Sequence, residues 1–258
     1  MTDRVGPDAG LRDPEEPTWR WRIDLAMLRE AAEIRRRDPT EFRAAVLTFF
    51  GFGGRDDGRI LRRMHNHPEG RRVLEQRIPL PPGILEPERL RQLPEETLGY
   101  QYWQHCHEQG LDPMLISRES QRVSKEIPAT EEHRFVYDRY RDSHDFWHVL
   151  TGWGTDMAGE AGIIAWTYAQ VRNRAYLLIF LLNALMCLSR GRPDVFRTCW
   201  KGYRHGVRSP LLLAIDWSGQ LERPLRDVRR DLGIELAPEY PIFHMADAPG
   251  APQDLPGV

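Results

Sequence analysis

The sequence predicts an all-α protein, a single helical domain of antiparallel-packed helices. Three observations carry this. Apolar residues recur at helical spacing along most of the chain, no run alternates apolar and polar residues as a half-buried strand would, and Pro and Gly fall where the periodic segments end. With 258 residues, 41% of them hydrophobic, the chain can bury one substantial core.

The first periodic segment, TWRWRIDLAMLREAAEIRRRD, carries Leu25, Leu28, Ala32 and Ile34 and ends before Pro39. PTEFRAAVLTFFG opens on Pro39 and Thr40, which suit a helix start, and stops at Gly51. GFGGRDDG reads as a loop; it lacks the Lys-Ser/Thr of a phosphate-binding loop. RILRRMH and PEGRRVLEQ are short helical pieces, whereas the Pro-rich IPLPPGILEP reads as extended. A helix is expected from Leu90 to Gln109, entered through PEET and closed by Gly110. Residues 131–150 form a further helix. Residues 155–189 form one long helix or two, with RNR at 172–174 as the break. GRP at 191–193 ends that stretch and starts the next helix. LERPLRDVRRDLG gives the last helix, stopped by Gly233. Flexible tails are expected at 1–18 and 246–258, around a helical domain at 19–245.

Composition narrows function. With 36 basic and 38 acidic residues the net charge is −2, which does not suit a nucleic-acid binder. Cys106, Cys187 and Cys199 form no CxxC pair, pointing away from a disulfide scaffold and toward a reducing compartment. The acidic N-terminus resembles neither a secretory signal nor a transit peptide. AYLLIFLLNALMCL, 175–188, is shorter than the ~20 residues that span a bilayer. Its plain reading is a buried core helix; the alternatives are the wall of a lipid-tail pocket or a helix dipping into a membrane. In the helix after Pro193, the basic residues Arg197, Lys201, Arg204 and Arg208 share a face beside Phe196, Trp200, Tyr203 and Val207. That pattern is a core helix with a solvated face, or one that meets an anionic membrane surface.

The densest chemistry lies in HDFWHVLTGWGTDMAGE, 144–160. His144 and His148 are four apart and share one helical face, the spacing by which a helix offers two imidazoles to one ion. Asp145 lies ~100° further round, able to reach the same ion or to orient a ring. On one continuous helix Glu160 would face roughly 160° away from His144. Gly152 and Gly154 can break the helix, so that a second one returns Glu160 to the histidines. Along 131–150 the apolar stripe is Val136, Tyr140, Ser143, Trp147 and Leu150, with the histidines at its edge. The following Ala158, Ala161 or Gly162, Ala165 and Ala169 form a stripe of small residues that lets a neighbouring helix approach closely. Asp142 and Asp156 read as cap or surface residues. His65/His67 and His105/Cys106/His107 read as polar helix ends, because His-x-His on a helix points its rings about 200° apart.

His144, Asp145, His148, eleven intervening residues and Glu160 resemble the HDxxH-x11-E motif of the coenzyme Q biosynthesis protein 4 family. RYRDSHDFWHVLTG, PEGRRVLEQRIPL, LPEETLGYQYWQ and SPLLLAIDWSGQLERPLRDVRRDLGI resemble the family's other blocks, so the likeness covers about 40–236. It implies an all-helical protein with an internal prenyl-lipid pocket, at the inner face of a membrane. The implied activity is metal-dependent oxidative decarboxylation of a prenylated 4-hydroxybenzoate-type intermediate at ring carbon 1; a non-catalytic prenyl-lipid-binding scaffold is the alternative. His144, Asp145, His148 and Glu160 would be both the catalytic residues and the ligands of a divalent metal ion, zinc by family usage, with iron, manganese or cobalt also suited. The implied partners are the polyprenylated aromatic lipid, other ubiquinone-biosynthesis enzymes, a membrane surface and a second copy of the chain. With no presequence visible, and with AGIIAWTYAQ departing from the eukaryotic continuation after the motif, the resemblance is to a bacterial member, expected in the cytoplasm against the cytoplasmic membrane.

Overall fold

The structure, a computed structural model, describes residues 23–38, 41–52, 58–126 and 130–244. The expected tails, the Pro39–Thr40 helix start and most of the GFGGRDDG loop lie outside them. Thirteen α-helices form among these residues, with no strand. They are α1 (Leu25–Arg37), α2 (Phe42–Phe52), α3 (Gly58–Asn66), α4 (Pro68–Glu75), α5 (Pro82–Leu85), α6 (Leu98–Gln109) and α7 (Pro113–Ser124), followed by α8 (Glu131–Asp142), α9 (His144–Thr151), α10 (Met157–Val171), α11 (Ala175–Ser189), α12 (Val195–Arg208) and α13 (Leu225–Leu232).

Ends follow local chemistry. Asp24, Thr97, Asp112, Thr130 and Asp156 cap the helices that follow them by accepting from early backbone N–H groups. Gly110, Gly152 and Gly233 end α6, α9 and α13 in the left-handed conformation. Between α10 and α11 the RNR break is real: Arg172 turns to φ 59°.

Several expectations are corrected. The helix expected from Leu90 starts at Leu98, because Thr97 is the residue whose side chain caps it. IPLPPGILEP is not extended: it winds into α5, and a 3₁₀ turn follows at Pro87–Leu90. The expected helix 131–150 is two. At Ser143 both the backbone N–H and the hydroxyl donate to the Arg139 carbonyl, the back-bonding that bends helices. Helix α7 lies in a stretch with no clear apolar stripe, because its buried face is made largely of Ser117, Ser120 and Ser124.

The core is aromatic around the two halves of the motif. Phe146 meets Tyr102 and Trp217 edge-on, and Trp147 meets Trp166. The small-residue stripe of α10 does admit a neighbour: a Cβ on Gly202 of α12 would lie 2.1 Å from the Gly162 carbonyl oxygen. One turn on, a Cβ at Gly206 would lie 2.5 Å from the Trp166 carbonyl oxygen. The 175–188 run is not a core helix. In α11 only Ala175, Tyr176, Ala184 and Cys187 are buried, while Leu177, Leu181, Leu182, Leu185 and Leu188 are exposed.

Candidate metal centre

Helix α9 begins at His144 and carries His148 one turn later, with ring centroids 5.1 Å apart and planes at 89°. Gly152 ends it at φ 76°. Residues 152–156 then reverse the chain, and Asp156 caps α10 by accepting from the N–H groups of Ala158 and Gly159. That cap sits in a further set of bonds, because Tyr240 Oη and the Phe243 N–H also donate to it. The tight reversal explains Gly159, where a Cβ would lie 2.3 Å from the Gly154 carbonyl oxygen. Glu160 therefore stands in the first turn of α10, where the helix dipole favours an anion.

Glu160 faces both histidines. Its Oε1 lies 3.3 Å from His148 Nε2, and its Oε2 lies 3.7 Å from His144 Nε2. One donor atom from each of the three residues lies within 4.8 Å of the others. Burial pushes the Glu160 carboxyl up, but the two imidazoles more than reverse this and hold it well below the usual carboxylate range. Burial lowers His144 too, and there Glu160, helped by Asp145, reverses the shift and raises it.

The orientation of His148 decides what the cluster can hold. Its ring is 3% exposed, and its Nδ1–H donates to the Trp153 carbonyl at 2.9 Å. A carbonyl only accepts, so Nδ1 carries a proton and Nε2 is the nitrogen turned toward Glu160. The 3.3 Å between that nitrogen and the carboxylate is bridged by a cation, either a proton or a metal ion. Trp153 is itself fixed: its Nε1–H donates to His205 Nδ1, and His205 Nε2–H donates to the Glu235 carbonyl. An imidazole held by a backbone carbonyl on its far nitrogen is the usual form of a metal-ligating histidine. Two imidazoles and one carboxylate fit a divalent first-row ion.

Of the four expected residues, three converge in this way. Asp145 stands beside them, on the side of α6, where its charge acts on His144, His105, Tyr102 and Cys106. Asp156 is the expected cap. Asp142 is not at the surface: its side chain is 8% exposed and paired with Arg141. His67 is a helix end that accepts from the Gly70 N–H. His105 is more than a helix end, since its ring stacks 5.6 Å from that of His148. His105 and His107 point apart, as their spacing requires: His107 stacks on Trp103, and the contact of α6 with α9 brings His105 to the centre. Trp153 and His205 were likewise not singled out.

A separate apolar cavity of about 300 Å³ lies between α10, α11 and α12, lined by Ala165, Tyr168, Tyr176, Phe180, Trp200 and Tyr203 among others. It shares α10 with the centre but none of the three convergent residues. Ala165 is five residues after Glu160, roughly 140° round the helix.

Residues 58–238 match the family described as coenzyme Q (ubiquinone) biosynthesis protein Coq4. The mitochondrial ubiquinone biosynthesis protein coq-4 of Neurospora crassa is 31% identical over 178 residues, covering 68% of this chain and 49% of its own. That of Talaromyces marneffei is 32% identical over 177 residues, covering 68% and 59%. The chain thus spans about half the length of the curated relatives it matches. A crystal structure of a Nostoc punctiforme protein provisionally assigned to ubiquinone biosynthesis aligns over 81% of this chain and 95% of its own, with a TM-score of 0.58 at 19% identity, a likeness of fold. The match over 58–238, which contains all of His144, His148 and Glu160, places the chain in the coenzyme Q (ubiquinone) biosynthesis protein Coq4 family.

Proposed function

We propose that the protein is a metal-dependent enzyme of ubiquinone biosynthesis, one that removes the carboxyl group from ring carbon 1 of a prenylated 4-hydroxybenzoate-type intermediate as carbon dioxide and hydroxylates that carbon with dioxygen and a two-electron donor, the second oxygen atom leaving as water. The observation that supports this reading is the convergence of His148 Nε2 and His144 Nε2 on the Glu160 carboxylate, with His148 Nδ1 held by the Trp153 carbonyl. His144, His148 and Glu160 would hold the ion, which when bound supplies Lewis-acid polarisation and, as iron, manganese or cobalt, redox chemistry that zinc lacks. Two histidines and one carboxylate are also the donor set of non-haem iron oxygenases.

The chain's own groups do the rest. Trp153 keeps the His148 proton on Nδ1. The buried Trp153 closes the His148 side of the centre, while the His144 and Glu160 side chains, 30% and 32% exposed, leave it open to an incoming substrate. Asp145 or Glu160 would accept a proton from the substrate phenol, and Asp145 could instead orient a neighbouring ring. The apolar cavity beside α11 is the part of the molecule suited to a prenyl chain. Each added methylene would contribute about 0.8 kcal/mol until it fills.

Among the described residues no helix is long and apolar enough to cross a membrane. Contact with a bilayer would therefore be peripheral, through the exposed leucines of α11 and the Phe196 and Trp200 side of α12. This reading assigns the protein to the inner face of a bacterial cytoplasmic membrane, with other ubiquinone-biosynthesis enzymes and a second copy of the chain as partners.

A scaffold that binds prenyl lipid without turnover is the second reading, favoured by that same exposed face. His148→Ala separates the two. Metal analysis should show that the variant loses its stoichiometric ion with helicity intact. A catalyst then loses decarboxylation of a prenylated hydroxybenzoate in the metal-reconstituted assay, whereas a scaffold keeps lipid and partner binding with no turnover to lose. Unchanged metal content in the variant would reject the assignment of the centre.

A further inference from the structure

We propose that His105, on α6, is a further protein ligand of the ion held by His144, His148 and Glu160. The proposal rests on the metal reading of that cluster and extends its donor set to three imidazoles and one carboxylate.

Two observations support it. The first is an unmet polar atom: His105 Nε2 is buried and has no hydrogen-bond partner. A buried ring nitrogen without a partner is destabilising, and in native proteins such groups are few enough to need a reason. The second is distance. Two imidazoles that share an ion at about 2.1 Å, at a roughly tetrahedral angle, have ring centres about 5.2 Å apart. His144 and His148 are 5.1 Å apart, and His105 and His148 are 5.6 Å apart. His105 thus stands within a few tenths of an ångström of the spacing that a shared ion requires.

Neither nitrogen of His105 belongs to the trio of donors within 4.8 Å of one another. Its plane lies at 22° to that of His148, while His144 stands at 89°. Closing on the ion is therefore a rotation of the His105 side chain out of its stack, with α6 and α9 staying in place. The consequence is a choice of ion. Four protein ligands would fill a tetrahedral zinc site and leave no position for substrate, whereas a five- or six-coordinate ion keeps one open. Three histidines and Glu160 therefore favour manganese, iron or cobalt over zinc for any chemistry at this centre.

The test uses the full chain loaded with cobalt(II). In the paramagnetic proton spectrum, the hyperfine-shifted, exchangeable ring N–H signals count the ligating imidazoles. Wild type should show three and His105→Phe two, and cobalt affinity in the variant should fall by at least about a hundredfold, beyond what an outer-lying partner contributes. His105→Gln, closer in polarity, gives the same reading if the Phe variant does not fold. His107→Phe, which alters only a ring stacked on Trp103, should change neither count nor affinity. Two imidazole signals in wild type, or unchanged affinity in both His105 variants, overturns the proposal while leaving the three-residue centre standing. A wild-type protein that takes up no cobalt overturns both.

Discussion

Helices α10 and α11 are consecutive, fifteen residues each and apolar, yet the molecule uses them in opposite ways. α10 buries twelve of its residues; α11 buries four. The difference lies in side-chain size rather than polarity. α10 carries Ala158, Gly159, Ala161, Gly162, Ala165 and Ala169, so backbone can meet backbone at Gly162 and Gly202, and the few large residues, such as Trp166, fill what is left. α11 carries leucines on most of its surface. It has one seam of Ala175, Tyr176, Ala184 and Cys187 against the body, and five of its leucines are left exposed among the described residues. Small residues buy close approach, and close approach places Glu160 on a rigid element one turn from the start of α10. The leucines mark a surface instead.

The sharpest way to break this comparison is to enlarge the crossing point. Gly202→Val puts three carbons where one would already be 2.1 Å from a backbone oxygen. Overpacking of this kind costs about 3 kcal/mol or more when backbone must move. The melting temperature should drop by roughly 6–12 °C for a domain of this size. A shift under about 2 °C would mean that α10 and α12 are not in backbone contact.

Next in size is Trp153→Phe. The ring against Gly162 is largely kept, but the buried His205 Nδ1 loses the indole donor it accepts from. Leaving that acceptor unmet costs about 1–3 kcal/mol. Metal affinity should fall less than about tenfold, because the Trp153 carbonyl that holds His148 is unchanged. A loss as large as that of His148→Ala would show that the indole acts on the ion directly.

A smaller effect separates the centre from its frame in the ion-free protein. Glu160 has a folded pKa below its ordinary 4.5, so its stabilisation is present above pH 4.5 and is lost as pH falls toward the folded value. His144 has a folded pKa above its ordinary 6.5, so its share is full below 6.5 and is lost as pH rises through the raised value. The excess stability of wild type over Glu160→Gln should therefore peak between about pH 4.5 and 6.5 in thermal melts. An excess that is flat from pH 4 to 9 would mean that the three side chains do not interact.

What could be read from the sequence tracks this same division. The convergence of His144, His148 and Glu160 follows from local rules: helical spacing, a glycine that can turn left-handed, and an aspartate cap. The small-residue stripe of α10 follows from periodicity. His105 could not be placed, because its role depends on which face of α6 meets α9, and a histidine on a mixed helix has no periodicity of its own. Helix α7 escaped because serines, small enough to be buried, line its inner face. The exposure of α11 was misread for a related reason. An apolar run shows that water is unfavourable and does not show what covers it.

The smallest effect on stability is expected where hydrophobicity is greatest. Leu181 and Leu185 are 50% and 52% exposed and lie one turn apart on α11. Replacing both with Gln removes apolar surface that is already in water, so stability should change by about 0.5 kcal/mol or less. A core pair of the same size would cost about 4 kcal/mol or more. If the face meets a bilayer, each half-exposed leucine that leaves water contributes about 1 kcal/mol, and the double variant should partition into vesicles some thirtyfold more weakly, by about 2 kcal/mol. Substituting Arg197 and Arg204 with Gln on the neighbouring α12 should weaken binding only to anionic vesicles, and only at low salt, where a charge near the surface contributes about 1 kcal/mol. Vesicle flotation at two salt concentrations separates the contributions. A leucine variant that floats like wild type while the arginine variant does not would make the contact electrostatic. If both variants float like wild type, the leucines of α11 face something other than lipid.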